Sequence, residues 1–118
     1  MKLENQVCSL DLAKKLKSLN VKQESLFVWC DEYDLPCWKG AFKRTNEIAA
    51  FTASELGEML PRDILLSETE PSEMEISQLY GKHWQVYYPH TVTHNAPTEA
   101  DARAKALIWL IENNHIEV

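Results

Sequence analysis

The side chains able to do chemistry are few and scattered. The chain has three cysteines, Cys8, Cys30 and Cys37, and four histidines, of which His83, His90 and His94 fall within one short stretch. A structural zinc wants four ligands, commonly supplied as close pairs such as Cys-x2–4-Cys. Six residues separate Cys30 from Cys37, and Cys8 lies further off still. His90 and His94 share a face if their run is extended, but two imidazoles without a third ligand do not make a site. A cysteine nucleophile needs a base beside it, and the sequence sets no histidine next to any cysteine. Asp31, Glu32 and Asp34 crowd one segment, yet they lack the glycine and the distal glutamate of a calcium loop. They read as a solvated acidic turn. The three glycines are isolated, so there is no phosphate-cradling loop, and neither G-x-S-x-G nor H-E-x-x-H occurs. The expectation is a chain that is not an enzyme, with no catalytic residue, no cofactor and no metal site.

Without catalysis, function falls to surfaces. The formal net charge is -6, which disfavours nucleic acid as a partner. Positive charge is nonetheless segregated: Lys14, Lys15, Lys17 and Lys22 cluster early, and Lys39, Lys43 and Arg44 follow. A nucleic-acid-binding module using the first cluster is therefore the alternative reading. Four tryptophans are many for 118 residues and argue for a packed core or an interface. Trp38 and Tyr87 belong to a set of strand aromatics that can build a partner surface. Trp109 lies off the apolar stripe of the last helix and suggests a contact, for instance with a second copy of the chain. Trp38, Tyr87 and Trp109 are thus the interaction-surface candidates, and the expected partner is a protein, a homodimer included.

No run approaches the roughly 20 apolar residues of a membrane helix. The opening Met-Lys-Leu-Glu-Asn-Gln lacks the apolar core of a signal peptide, so the expected location is cytoplasmic, with reduced thiols and no membrane.

The elements that must position these residues are legible in part. Ser9 suits an N-cap, and Leu12, Leu16 and Leu19, widened by Ala13, form one stripe, predicting a helix over 9–19. Asn20 fits the left-handed position that ends a helix, with Val21 supplying the accompanying hydrophobic contact. Residues 26–30 read as a buried strand, 31–36 as a loop, 37–42 as a second strand and 43–48 as a turn. Thr52 and Glu55 form a capping box, with Phe51 and Leu56 as its staple, and Pro61 closes that short helix. Residues 64–66 suggest a strand, and 67–75, acidic and containing Pro71, an exposed loop. A hairpin spans about 75–88, turning near 80–82, with Trp84, Val86 and Tyr88 on one face. Residues 91–94 suggest one more strand.

The last helix starts at Thr98, with Asp101 to answer the cap. Ala100, Ala104, Leu107, Ile108 and Ile111 form its buried stripe. Glu99 pairs with Arg103 and Asp101 with Lys105 one turn along. The whole reads as one α+β domain over 1–118, a small antiparallel sheet with one face packed by the N-terminal, central and C-terminal helices.

Three stretches carry a resemblance: Ser9-Leu-Asp-Leu-Ala-Lys-Lys-Leu-Lys-Ser-Leu-Asn-Val-Lys-Gln-Glu-Ser25 with Phe27-Val28-Trp29; Ala50-Phe-Thr-Ala-Ser-Glu-Leu-Gly-Glu-Met-Leu-Pro61; and Thr98-Glu-Ala-Asp-Ala-Arg-Ala-Lys-Ala-Leu-Ile108. In these the chain resembles a group of small uncharacterised proteins of bacteriophages and prophages. The resemblance covers most of the chain apart from 31–49 and 67–80. It implies a phage or mobile-element context and transfers no activity, catalytic residue or binding residue. A looser likeness is to small phage α/β sandwich domains and, more distantly, to double-stranded-RNA-binding domains. Those domains place basic residues at the start of the last helix, where this chain has Glu99 and Asp101.

Overall fold

A computed structural model describes residues 2–30, 35–38, 47–67, 70–79, 83–88 and 93–117. Among these, a single 3-10 turn, Leu3–Asn5, leads into α1, Leu10–Ser18. The strands are β1, Phe27–Cys30, β2, Leu35–Trp38, and β3, Ile48–Ala49. Helix α2, Ala53–Met59, follows. Then come β4, Asp63–Ser67, β5, Glu70–Glu73, β6, Glu75–Leu79, β7, His83–Tyr87, β8, His94–Ala96, and finally α3, Glu99–Glu112. The fold is α+β, as the pattern predicts. The strands do not join into one sheet, however. They form two three-stranded antiparallel sheets, ordered β2-β1-β3 and β6-β7-β8, with β4 and β5 as a separate antiparallel hairpin.

Helix α1 ends as expected. Asn20 has a positive φ of 67°. The Val21 N–H reaches the Leu16 carbonyl at 3.1 Å and the Asn20 N–H reaches Lys17 at 3.0 Å. This is the paired bonding of a Schellman turn, and Val21 and Leu16 are both buried beneath it. The start of α1 differs from expectation. The Ser9 side chain makes no capping bond. Its backbone N–H instead donates to Asp101 Oδ1 at 2.7 Å, tying the beginning of α1 to α3.

Helix α2 carries the full capping box. Thr52 Oγ1 accepts from the Glu55 N–H at 3.1 Å, and Glu55 Oε1 accepts from the Thr52 N–H at 2.9 Å. The same carboxylate also accepts from Ser25 Oγ at 2.9 Å and from the Leu26 N–H at 3.1 Å. One local cap thereby fixes the approach to β1.

Helix α3 is the centre of the molecule. It packs against α1, α2, β7 and β8. Of the predicted stripe, Ala100, Ala104, Leu107 and Ile108 are buried and Ile111 is half-buried, while Ala102, Ala106 and Leu110 are buried as well. Alanines two apart bury both sides of a helix, because no side chain holds the neighbours away. The Glu99–Arg103 pair forms, at 2.6 Å. The expected Asp101–Lys105 pair gives way to tertiary bonds: Asp101 serves Ser9, while Lys105 Nζ donates to the Asn95 carbonyl at 2.9 Å. Thr98 still caps α3, accepting from the Asp101 N–H at 3.2 Å.

In β7, Val86 and, just beyond the strand, Tyr88 are buried and Trp84, on the face that alternation gives all three, is half-buried. The Tyr88 hydroxyl donates to the Pro61 carbonyl, joining this sheet to the end of α2. Residues expected as an acidic loop instead supply β5, whose Pro71 lies opposite Leu65. Proline is tolerated there because β5 is the outer strand of a two-stranded ladder. β2 begins two residues earlier than predicted, and β8 runs to Ala96 rather than stopping at 94. The proposed turn at 80–82 lies outside the described residues. No helix among the described residues is long and apolar enough to cross a membrane.

Candidate functional site

Cys8 is fully buried, its N–H donating to the Phe51 carbonyl at 2.8 Å. Its own carbonyl accepts from Trp29 Nε1 at 3.1 Å. Burial pushes its thiol up to about 12, so the sulfur stays protonated and unreactive at neutral pH. The expectation of reduced thiols throughout needs correction, since Cys37 is disulfide-bonded. His90, Asp31, Glu32 and Asp34 lie outside the described residues. Among the described residues, no three of His, Cys, Asp and Glu group as a metal would require.

Trp109 and His94 come together with a residue that sequence reasoning passed over. The Trp109 ring lies 5.8 Å from the His94 ring and stacks 5.0 Å from that of His115. The cause is local. Asn114 takes φ 59°, and the His115 N–H bonds the Leu110 carbonyl at 2.9 Å while Asn114 N–H bonds Ile111 at 3.2 Å. This second Schellman turn folds the residue after it back onto the helix, four residues from its end. The signal was present as Asn113-Asn114 after the apolar run. Trp109 is therefore half-buried against its own chain. Burial, and then the charge of Lys105, hold the His94 imidazole below its ordinary range.

Tyr87 stands on β7 directly opposite Glu75. A hydrogen bond from its hydroxyl to that carboxylate raises the Tyr87 pKa, and the negative charge adds to the effect.

Trp38 remains open. It is 62% exposed, and its ring contacts Phe27 at 4.5 Å in a tilted arrangement. Phe27 and Trp38 are cross-strand partners, so they share a face of the β1–β2 hairpin. Leu26, 59% exposed, and Leu35, 50% exposed, flank the same hairpin. These three are the exposed large apolar side chains among the described residues. Alternation places Leu35 on the opposite face from Trp38. There it borders a shallow cleft of about 310 Å³ lined by Lys2, Leu3, Glu4, Leu35 and Pro36.

The early lysines are largely engaged by their own chain. Lys15 pairs with Glu112 at 3.5 Å and Lys22 with Glu24 at 3.0 Å, while Lys17 Nζ donates to the Glu47 carbonyl at 2.8 Å. A second cleft, of about 230 Å³, opens between the ends of the three helices, lined by Asn20, Val21, Lys22, Met59, Leu107, Ile116 and Glu117.

No family model, curated protein or solved structure matches the chain.

Proposed function

We propose that this chain is a non-enzymatic accessory protein of phage or mobile-element kind, acting through protein–protein contact and self-associating through the β1–β2 hairpin. The observation that carries the reading is Trp38, 62% exposed beside Phe27 on an outer strand. Leaving a tryptophan in water forgoes the roughly 1.5–3 kcal/mol that burying a large apolar side chain contributes. Tryptophan is also the residue type most enriched among those that dominate interface energetics. The contact uses the face of the hairpin rather than its edge. Pro36, within β2, has no N–H to offer, and proline on an outer strand blunts strand addition.

The charge geometry favours a protein over nucleic acid as partner. Three of the four early lysines are held by Glu112, Glu24 and the Glu47 carbonyl, inside a chain of net charge -6. The test is the mass in solution as a function of concentration, measured by light scattering. The expected result is a concentration-dependent dimer that Trp38→Ala returns to monomer while the variant still unfolds cooperatively, its midpoint no longer rising with protein concentration. A protein that stays monomeric and retains no protein partner from lysate overturns the reading. Nucleic acid retained at low salt and shed steeply at higher salt would put the alternative in its place.

A further inference from the structure

The cysteines of this chain have different fates. Cys8 is a free thiol in the core, whereas Cys37, half-buried on β2, is disulfide-bonded. The chain holds one other cysteine, Cys30, the last residue of β1. The strand register suits that partner. Cys37 stands opposite Val28 and Cys30 opposite Leu35, so alternation puts both cysteines on one face of the hairpin, diagonal to each other across the ladder.

The two strands are held differently. β1 pairs with β3 as well as with β2, Trp29 Nε1 donates to the Cys8 carbonyl, and the Ala50 N–H reaches the Phe27 carbonyl at 2.9 Å. Among the described strands β2 pairs with β1 alone, with the 3-10 turn beside it, and Pro36 removes an N–H from that short ladder. A covalent link at Cys37 then carries much of the restraint on β2, and Trp38 is the next residue.

We propose that a Cys30–Cys37 disulfide is a reducible switch that sets β2, and that the reacting partner is a dithiol reductant. Its consequence for self-association rests on the hairpin reading above. A thiolate of the reductant attacks the Cys37 sulfur, forming a mixed disulfide, and Cys30 leaves as a thiolate that takes a proton from solvent. The second thiolate of the reductant then attacks its own sulfur in the mixed disulfide and releases Cys37, which is protonated in turn. Two electrons and two protons pass to the cysteine pair, and the dithiol becomes a disulfide. The same exchange run backwards from a small disulfide closes the bond. Position favours the exchange, because Cys37 lies on an outer strand and is half-exposed. Cys8 takes no part: it is fully buried, and a thiol pushed up to about 12 supplies no thiolate to reshuffle the bond. Only six residues separate the pair, so the bond constrains the unfolded chain less than a long-range one would. Reduction therefore loosens the hairpin and leaves the rest folded.

The experiment uses the whole protein, equilibrated with glutathione disulfide. Thiols are blocked with N-ethylmaleimide in guanidinium, the chain is cut after Glu32, and the peptides are weighed. The expected result is one disulfide joining the Cys30 and Cys37 peptides, in protein that runs as a monomer on a non-reducing denaturing gel, with Cys8 alkylated. Cys37 found alkylated, carrying glutathione or joined to a second copy overturns the proposal. Dithiothreitol then opens the bond. Amide exchange at Cys37 and Trp38, read by NMR, should quicken about tenfold while Val86 and Leu107 keep their protection. Cys30→Ser/Cys37→Ser should show the fast rates without reductant and no further response to it. Unchanged exchange at Cys37 and Trp38 on reduction overturns the switch, and so does loss of protection at Val86 and Leu107, which would make the bond a general support of the fold. Light scattering of the two forms separates the switch from the hairpin contact. The dimer Kd should rise about tenfold on reduction, and an equal Kd in both forms overturns control of self-association. An oxidised protein that is monomeric at every concentration removes the self-association reading, and the exchange rates still decide the switch.

Discussion

Gly57 offers a test in which two known effects oppose each other. It lies inside α2, where replacing glycine by alanine ordinarily stabilises a helix by about 1 kcal/mol. Here a Cβ would collide with Nη1 of Arg103, reaching across from α3. Arg103 is no loose side chain. Nη1 donates to the Ala53 carbonyl at 3.1 Å, Nη2 pairs with Glu99 at 2.6 Å, and the buried Nε has no partner of its own. Moving the guanidinium aside forfeits the bond to Ala53, and a hydrogen bond from a charged donor contributes about 1.5–3 kcal/mol. The Glu99 pair can re-form at the surface, so little is added for it. The net for Gly57→Ala is then a loss of about 1 kcal/mol, against the helix-propensity trend. In an Arg103→Ala background the clash is gone and the same substitution should stabilise by about 1 kcal/mol. Urea unfolding reads both: with a slope near 1.5 kcal/mol/M, each midpoint moves by roughly 0.7 M, in opposite directions. A double-mutant cycle should return a coupling of about 2 kcal/mol. Additive effects, or stabilisation by Gly57→Ala alone, would refute the packing of Arg103 over Gly57.

Other outcomes follow from the same structure. Thr52→Ala should lower stability by about 1 kcal/mol through loss of the α2 cap, whereas Ala104→Glu, placing a carboxylate at a fully buried position, should lower it several-fold more and be visible as a far lower urea midpoint. His94 favours its neutral form in the folded protein because its pKa is lowered. Its contribution to stability is therefore present above about pH 6.5 and lost as pH falls through the depressed folded value, and His94→Gln should flatten that part of a stability–pH curve. The Cys8 thiol, held near 12 by burial, should resist iodoacetamide at pH 8 in the folded protein and react promptly in urea; fast labelling of the native form would contradict its placement.

Some of the fold was readable because its causes are local. The Thr52–Glu55 box needs only residues three apart, and Asn20 with Val21 needs only the conformational tolerance of asparagine and one neighbouring apolar side chain. Glu99–Arg103 is likewise a one-turn pair. Asp101 shows where such reasoning ends. Its neighbours suggest a reciprocal cap and a pair with Lys105, yet its carboxylate goes to the Ser9 N–H, 92 residues away in sequence. A backbone N–H left open at a helix start outcompetes an exposed ion pair, and no spacing rule shows that donor arriving. The second buried side of α3 was visible as Ala102 and Ala106, but alanine suits a surface as well as a core, so composition alone does not choose.

The candidate sites divide in the same way. Trp109 looks outward on a helical wheel because a wheel omits what folds back, and His115 returns only through the positive φ of Asn114. Trp38, Tyr87 and Trp109 are equivalent as aromatic letters; packing leaves the first open, sets the second against Glu75 and brings two imidazoles against the third.

What the sequence determined by itself is what short-range bonding and periodicity determine: three helices, the cap of α2, the turn that ends α1, the α+β class and which residues of β7 share a face. The tertiary structure alone decided how the strands divide into separate sheets, which lysines are engaged, and which side chains close a cleft between three helix ends. Those outcomes depend on groups far apart in the chain competing for the same donors and the same space, and that competition is settled only when the chain has packed.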